Sequence, residues 1–184
     1  MQKITPCLWF NNNAEEAVRF YTSVFRNSKI LKTSYYGEGA PLPKGTVLTI
    51  TFELNGQEFM ALNGGPHFKF TEAISLIVNC ETQNELDEVW EKLSSNGGSE
   101  VQCGWLKDKY GLSWQIVPTV LGKMMQDKDA EKTNRVMQAV LQMKKLDIKL
   151  LKKAYEYSID VVTPRRYKAA PGAMLAFDLY LLGR

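Results

Sequence analysis

The residues best suited to chemistry gather in one stretch, from Gln102-Cys103-Gly104-Trp105 through Asp108 to Ser113-Trp114-Gln115-Ile116-Val117-Pro118. Gln115 carries an amide donor and an amide acceptor on one side chain, which suits recognition of a small organic molecule. Trp105 and Trp114 stand on either side of the turn as candidate cleft walls. Cys103, beside Trp105, has the atom of a nucleophile. A reactive thiol needs a base or a cationic setting, however, and the single histidine, His67, is distant in sequence. A cysteine of the core or cleft wall is the alternative. Histidine titrates near physiological pH, so His67 is a candidate general base; the plainer reading of Gly65-Pro66-His67-Phe68 is a surface loop. No residue is assigned a catalytic role. One histidine excludes a histidine-rich zinc or catalytic centre within a subunit.

Two short strands joined by a turn must position this stretch. Lys107 to Gly111 supplies the turn, with Asp108 in a solvated charge cluster, and Leu112, Trp114 and Ile116 alternate with Ser113, Gln115 and Val117. If Gln115 faces a cleft, Trp114 packs on the other side, under a helix. Upstream, residues 4–10 read as a strand, and residues 14–25 as a helix with Ala17, Phe20, Tyr21 and Val24 on one face. Asn13 and Glu16 have the spacing of a capping box. Strands follow at 29–36, 46–54 and 57–62, the last two joined by Asn55-Gly56. A strand at 73–80 leads to a helix capped by Thr82, with Leu86, Val89, Trp90 and Leu93 on its stripe. Trp9 and Trp90 are assigned to the core. Asn96-Gly97-Gly98 closes the helix, and strands near 100–106 and 112–117 complete the series.

These elements repeat. Ala17, Phe20, Tyr21 and Val24 recur as Leu86, Val89, Trp90 and Leu93 at an offset of 69, as do Asn13 as Thr82 and Glu16 as Glu85. At this offset Pro6 meets Ser75 and Leu8 meets Ile77. A strand–helix unit followed by antiparallel strands therefore occurs twice. Past Pro118 the chain is helical, with amphipathic segments at 129–143 and after Asp147, a candidate cap. Residues 158–184 have no clear period.

Composition narrows the function classes. With 184 residues and 45% apolar side chains the chain can bury a real core. A net charge of +3, with its basic residues spread, does not make the clustered basic face of a nucleic-acid binder. Three cysteines without a CxxC do not make a disulfide framework, and a reduced, cytoplasmic setting fits them. The first residues lack the apolar run of a signal peptide, and no segment is apolar for long enough to span a membrane.

Several segments carry a resemblance: Pro6-Cys7-Leu8-Trp9-Phe10-Asn11, Glu15-Glu16-Ala17-Val18-Arg19-Phe20-Tyr21, Asn63-Gly64-Gly65-Pro66, and Gln102-Cys103-Gly104-Trp105 with its continuation to Pro118. Together they resemble the vicinal-oxygen-chelate superfamily (glyoxalase, bleomycin-resistance and extradiol dioxygenase proteins). Within it they look like the PhnB-like branch, often labelled 3-demethylubiquinone-9 3-methyltransferase-like. The resemblance implies an α+β fold of two tandem βαβββ modules forming a cup-shaped cleft, here with C-terminal helices. It implies a paired domain over 1–118 (module one 1–68, module two 69–118), a helical extension over 119–157 and a tail over 158–184. Members are commonly homodimers. Metal-dependent relatives bind one divalent ion through four side chains, whose positions fall at Pro6, Ser75 and Gln115 and near Met60. Proline and methionine are not ligands for hard cations, and serine and glutamine are weak, neutral ones. No metal and no cofactor is therefore expected. Nor does a glycine-rich nucleotide loop follow the first strand, where three asparagines stand. The reading is a small-molecule binder whose cleft candidates are Leu8, Met60, Leu62, Ser75, Ile77, Cys103, Trp105 and Gln115. The alternative is an enzyme on the same fold, either metal-dependent or the methyltransferase of the label.

Overall fold

The computed structural model describes residues 3–156, so the expected tail lies outside the described residues. The chain divides into two compact units, Met1–Glu72 and Ala73–Arg184.

In the first unit, strand β1 (Cys7–Phe10) leads to helix α1 (Ala14–Val24) and then to strands β2 (Lys29–Tyr35), β3 (Val47–Leu54) and β4 (Gln57–Asn63). The sheet order is β1-β4-β3-β2, with β1 parallel to β4 and the other pairs antiparallel. Asn55 and Gly56 both have positive φ, 46° and 87°, the requirement of the tight hairpin turn that sets β3 against β4. Ala17, Val18, Tyr21 and Val24 of α1 are buried, as are Ile50 and Phe52 of β3. The Tyr21 and Phe52 rings stack at 6.5 Å, which identifies the face of the sheet that α1 covers. Asn13 makes no side-chain cap to α1. Instead Asn63, at the end of β4, accepts the Ala14 N–H at 2.9 Å. Its amide donates to the Val47 carbonyl at 2.9 Å. The capping box expected at Asn13 and Glu16 is thus replaced by a cap from a distant strand.

The second unit repeats the plan with β5 (Ser75–Cys80), α2 (Gln83–Ser94), β6 (Ser99–Glu100), β7 (Trp105–Lys107) and β8 (Ser113–Pro118). Its order, β5-β8-β7-β6, with β5 parallel to β8, matches that of the first. Each unit is therefore a βαβββ module. Here the local cap forms as expected: Thr82 Oγ1 accepts the Glu85 N–H at 3.2 Å, and the Glu85 carboxylate accepts the Glu81 N–H at 2.7 Å. The single strand expected at 100–106 is broken into two. Cys103 and Gly104 take positive φ, 62° and 82°, and their amides donate to the Met143 and Lys144 carbonyls, both at 2.7 Å.

Those carbonyls belong to the connection between helices α4 (Ala130–Leu141) and α5 (Ile148–Glu156), which follow α3 (Thr119–Met125). The connection is held at a second point. Gln83 donates to the Leu146 carbonyl at 3.1 Å and accepts the Ile148 N–H at 2.8 Å. Leu146 is fully buried, and a Cβ on Gly104 would lie 3.1–3.2 Å from its side chain. Asp147 caps α5 through the Leu150 N–H at 2.9 Å. The helical extension is therefore packed into the second module. No helix among the described residues is long and apolar enough to cross a membrane.

Candidate functional site

Each sheet has one face under its helix and one face turned away from it. In the first unit Leu8, Phe10, Ala61, Ile50 and Phe52 share the α1 face, because Leu8 pairs with Ala61 and Ala61 with Ile50. Cys7, Trp9, Met60, Leu62, Thr49 and Thr51 share the other. In the second unit Glu100 pairs with Leu106 and accepts the Trp90 indole N–H from α2 at 2.9 Å. This places Leu106, Trp114 and Ile116 on the α2 face. Ser75, Ile77, Trp105, Ser113 and Gln115 occupy the opposite face, since Ser75 pairs with Ser113, Ile77 with Gln115, and Trp105 with Gln115.

Of the eight cleft candidates, Ser75, Ile77, Trp105 and Gln115 fall together on the non-helix face of the second sheet. Met60 and Leu62 fall on the non-helix face of the first. Leu8 does not join them: it is 6% exposed, on the α1 face beside Ala61. The cause is one residue. Phe10 and Cys80, the last residues of β1 and β5, are 70 positions apart, whereas Ala14 and Gln83, which begin the helices, are 69 apart. The Asn11-Asn12-Asn13 connection is longer by one, with Asn12 at φ 60°. A shift of one residue moves a side chain to the other face of a strand. Ile77 therefore corresponds to Cys7, and Ser75 to Thr5, whose hydroxyl lies 3.4 Å from the Glu58 carboxylate. Cys103 is also off the face, in the break between β6 and β7. It is buried, and burial pushes its thiol pKa up, which favours the inert protonated form.

Gln115 is 7% exposed, and its amide donates to Ser75 Oγ at 2.8 Å. Ser113 is 1% and Trp105 8% exposed. Ser113 Oγ and Trp105 Nε1 are both buried without a hydrogen-bond partner among the described residues. The other three tryptophans all donate: Trp9 to Gly65 O at 2.9 Å, Trp90 to Glu100, and Trp114 to Asp108 at 2.8 Å. Trp9, assigned to the core from sequence, is half-buried on the non-helix face. Its ring lies where a Cβ on Gly64 would stand, 2.2–2.5 Å away, which explains the first glycine of Asn63-Gly64-Gly65-Pro66. Asp108, read from sequence as a solvated turn residue, is 3% exposed. Besides Trp114 it accepts the Tyr110 N–H at 2.8 Å and the Leu112 N–H at 3.1 Å, so it builds the turn that carries Ser113 and Gln115.

The donor set at the ligand-equivalent positions does not fit a divalent ion. Ser75 and Gln115 in one module and Thr5 and Met60 in the other bring no charge and no imidazole. Among the described residues no three His, Cys, Asp or Glu side chains converge as a metal site. His67 is exposed in the loop after β4. The three thiols are free, Cys7 exposed and Cys80 and Cys103 buried.

Comparison with known proteins agrees with this architecture. No protein of curated function matches the chain. A PhnB protein from Bacillus cereus, bearing the description 3-demethylubiquinone-9 3-methyltransferase, is 45% identical. That match covers all of the relative and 64% of this chain, with a TM-score of 0.59. A protein from Pseudomonas aeruginosa, 19% identical over 64% of this chain and 98% of its own, shares the fold at a TM-score of 0.53. Residues 2–117 match the family model described as 3-demethylubiquinone-9 3-methyltransferase, which ends before α3. With both βαβββ modules inside that match, the chain belongs to the PhnB-like 3-demethylubiquinone-9 3-methyltransferase family.

Proposed function

We propose that this chain binds a small organic molecule without a metal, against the non-helix face of its second sheet. One observation carries the reading: at the positions where metal-dependent relatives place ligands, Gln115 and Ser75 are hydrogen-bonded to each other and neither carries charge. Ile77 and the Trp105 ring supply apolar surface beside them, the mixture typical of small-molecule sites. Native mass spectrometry of the purified protein, with elemental analysis, tests the reading. The expected result is a co-purified organic mass and no stoichiometric metal. One zinc, manganese or nickel ion per chain, with loss of ligand binding on chelation, overturns it.

A second reading is favoured by the description of the family and of its Bacillus cereus relative: transfer of a methyl group to a hydroxylated ring. Calorimetry with S-adenosylmethionine tests it, saturable heat supporting the transferase. Homodimerisation, which the resemblance implies, is supported by the sheet-edge strand β2, where Ile30, Leu31 and Tyr35 are 42%, 43% and 58% exposed. Light scattering at the mass of a single chain refutes the dimer.

A further inference from the structure

Five non-glycine residues among those described take positive φ, and four of them are asparagines: Asn12, Asn27, Asn55 and Asn96. Asparagine tolerates this conformation because its short side chain bonds locally to the backbone. The fifth is Cys103, at φ 62°, followed by Gly104 at 82°. The Trp105 N–H donates to the Gln102 carbonyl at 3.2 Å, so the pair forms a tight turn between β6 and β7. Asn55-Gly56 makes a turn of the same kind between β3 and β4 from residues that favour it unaided. Cys103 has no such help, since a thiol is only a weak donor. A non-glycine residue in this region persists only where its surroundings over-determine it.

Those surroundings are the α4–α5 connection, which lies beyond residue 117, where the family match ends. Its Met143 and Lys144 carbonyls accept both turn amides, those of Cys103 and Gly104. Its Leu146 side chain, fully buried, lies against Gly104. The connection is in turn fastened to α2. The Gln83 amide nitrogen donates to the Leu146 carbonyl and its oxygen accepts from Ile148, while Lys145 pairs with Asp87 at 2.8 Å. We infer that the α4–α5 connection is a latch on the β6–β7 hairpin, with Gln83 as the positioning residue that keeps it closed. Docked, the latch holds the turn in a conformation its own sequence disfavours. Released, it lets Cys103 relax and Trp105, the first residue of β7, leave its place opposite Gln115. A side chain of α2 therefore governs a turn on another element, through the helical extension. The device is independent of the ligand proposed above.

Amide hydrogen exchange of the full ¹⁵N-labelled chain tests the latch. The Cys103 and Gly104 amides report the latch itself. The Val101 and Trp105 amides, bonded within the hairpin to the Trp105 and Gln102 carbonyls, report the turn. Gln83→Leu, folded by circular dichroism, should speed all four about tenfold, as the loss of the Gln83 bonds implies. Trp90 and Leu93, buried on α2, should keep their rates. Leu146→Val, which thins the packing on Gly104, should give the same pattern. In Cys103→Gly the turn no longer needs holding. There Gln83→Leu should still speed the Gly104 amide but leave Val101 and Trp105 unchanged. Acceleration of every amide of the unit alike marks general destabilisation and overturns the latch. So does acceleration of Cys103 and Gly104 alone in the native background, because the turn then stands unaided. Full acceleration of Val101 and Trp105 in the Cys103→Gly background overturns it as well, since the strained turn is then not what the connection holds.

Discussion

Ser113→Ala should make the ligand-free protein more stable. A buried hydroxyl with no partner retains the cost of leaving water, about 1–3 kcal/mol, and Ser113 Oγ is such an atom. Alanine removes that cost. It leaves a void smaller than the methyl-sized cavity that costs about 1 kcal/mol. The net gain is about 1–2 kcal/mol, which at about 2–4 °C per kcal/mol for a chain of this size raises Tm by about 2–8 °C. Ser75→Ala supplies the opposite sign on the same face. Ser75 accepts from Gln115 at 2.8 Å, so its loss leaves the buried amide unpaired and costs about 1–3 kcal/mol. Differential scanning calorimetry of both variants, with the unlabelled native chain beside them, reads the two shifts. A fall in Tm for Ser113→Ala would show that its hydroxyl is satisfied in solution and would refute this reasoning.

Gly64→Ala forces a methyl into the Trp9 ring, 2.2–2.5 Å away; overpacking of this kind costs about 1–3 kcal/mol, read as a lower urea midpoint and a shifted tryptophan emission. Asn63→Ala removes both the α1 cap and the link to Val47, and should cost about 2–4 kcal/mol by urea denaturation. The Tyr155 hydroxyl donates to Asp127 and, with the Asp129 amide, holds that carboxyl below its usual range. A folded pKa below the unfolded one gives stability that is present above the unfolded value of about 4 and lost as pH falls through the folded value. Asp127→Asn should therefore flatten the acid limb of a Tm-against-pH curve and, because the same bond pushes the Tyr155 pKa up, also lessen the loss of stability as pH rises past the unfolded tyrosine value of about 10. Thiol titration of the native chain should label Cys7 quickly and Cys80 and Cys103 only on unfolding, since burial, then the Glu85 charge, pushes Cys80 up to about 12.

The module architecture was legible because its signals are local. The stripes of α1 and α2, the Asn55-Gly56 turn and the Thr82–Glu85 box each occupy a few consecutive residues, and each formed where the spacing placed it. What failed was non-local. Asn13 looked like a cap, but Asn63 reaches Ala14 across 49 positions and takes the bond. The strand at 100–106 looked continuous, but Cys103 and Gly104 spend their amides on the α4–α5 connection. Asp108, between two lysines, read as solvated; only the hairpin's own fold wraps Tyr110, Leu112 and Trp114 around its carboxylate.

The site was half legible for a related reason. A helix tolerates a one-residue error in a repeat count, because its neighbours still share a broad face, whereas a strand does not. The offset of 69 was read from helices and carried to strands whose offset is 70, so Leu8 was placed on the wrong side while Met60, placed by its hairpin, was not. Corrected, the alignment sets Cys7 beside Met60 as Ile77 stands beside Gln115. The two modules then diverge at equivalent places. One carries a thiol and a thioether, the other an aliphatic chain and an amide linked to Ser75. Unsatisfied polar atoms lie on the second module's face, at Trp105 and Ser113. The two modules therefore share one scaffold and differ in the side chains it presents on the face away from the helix.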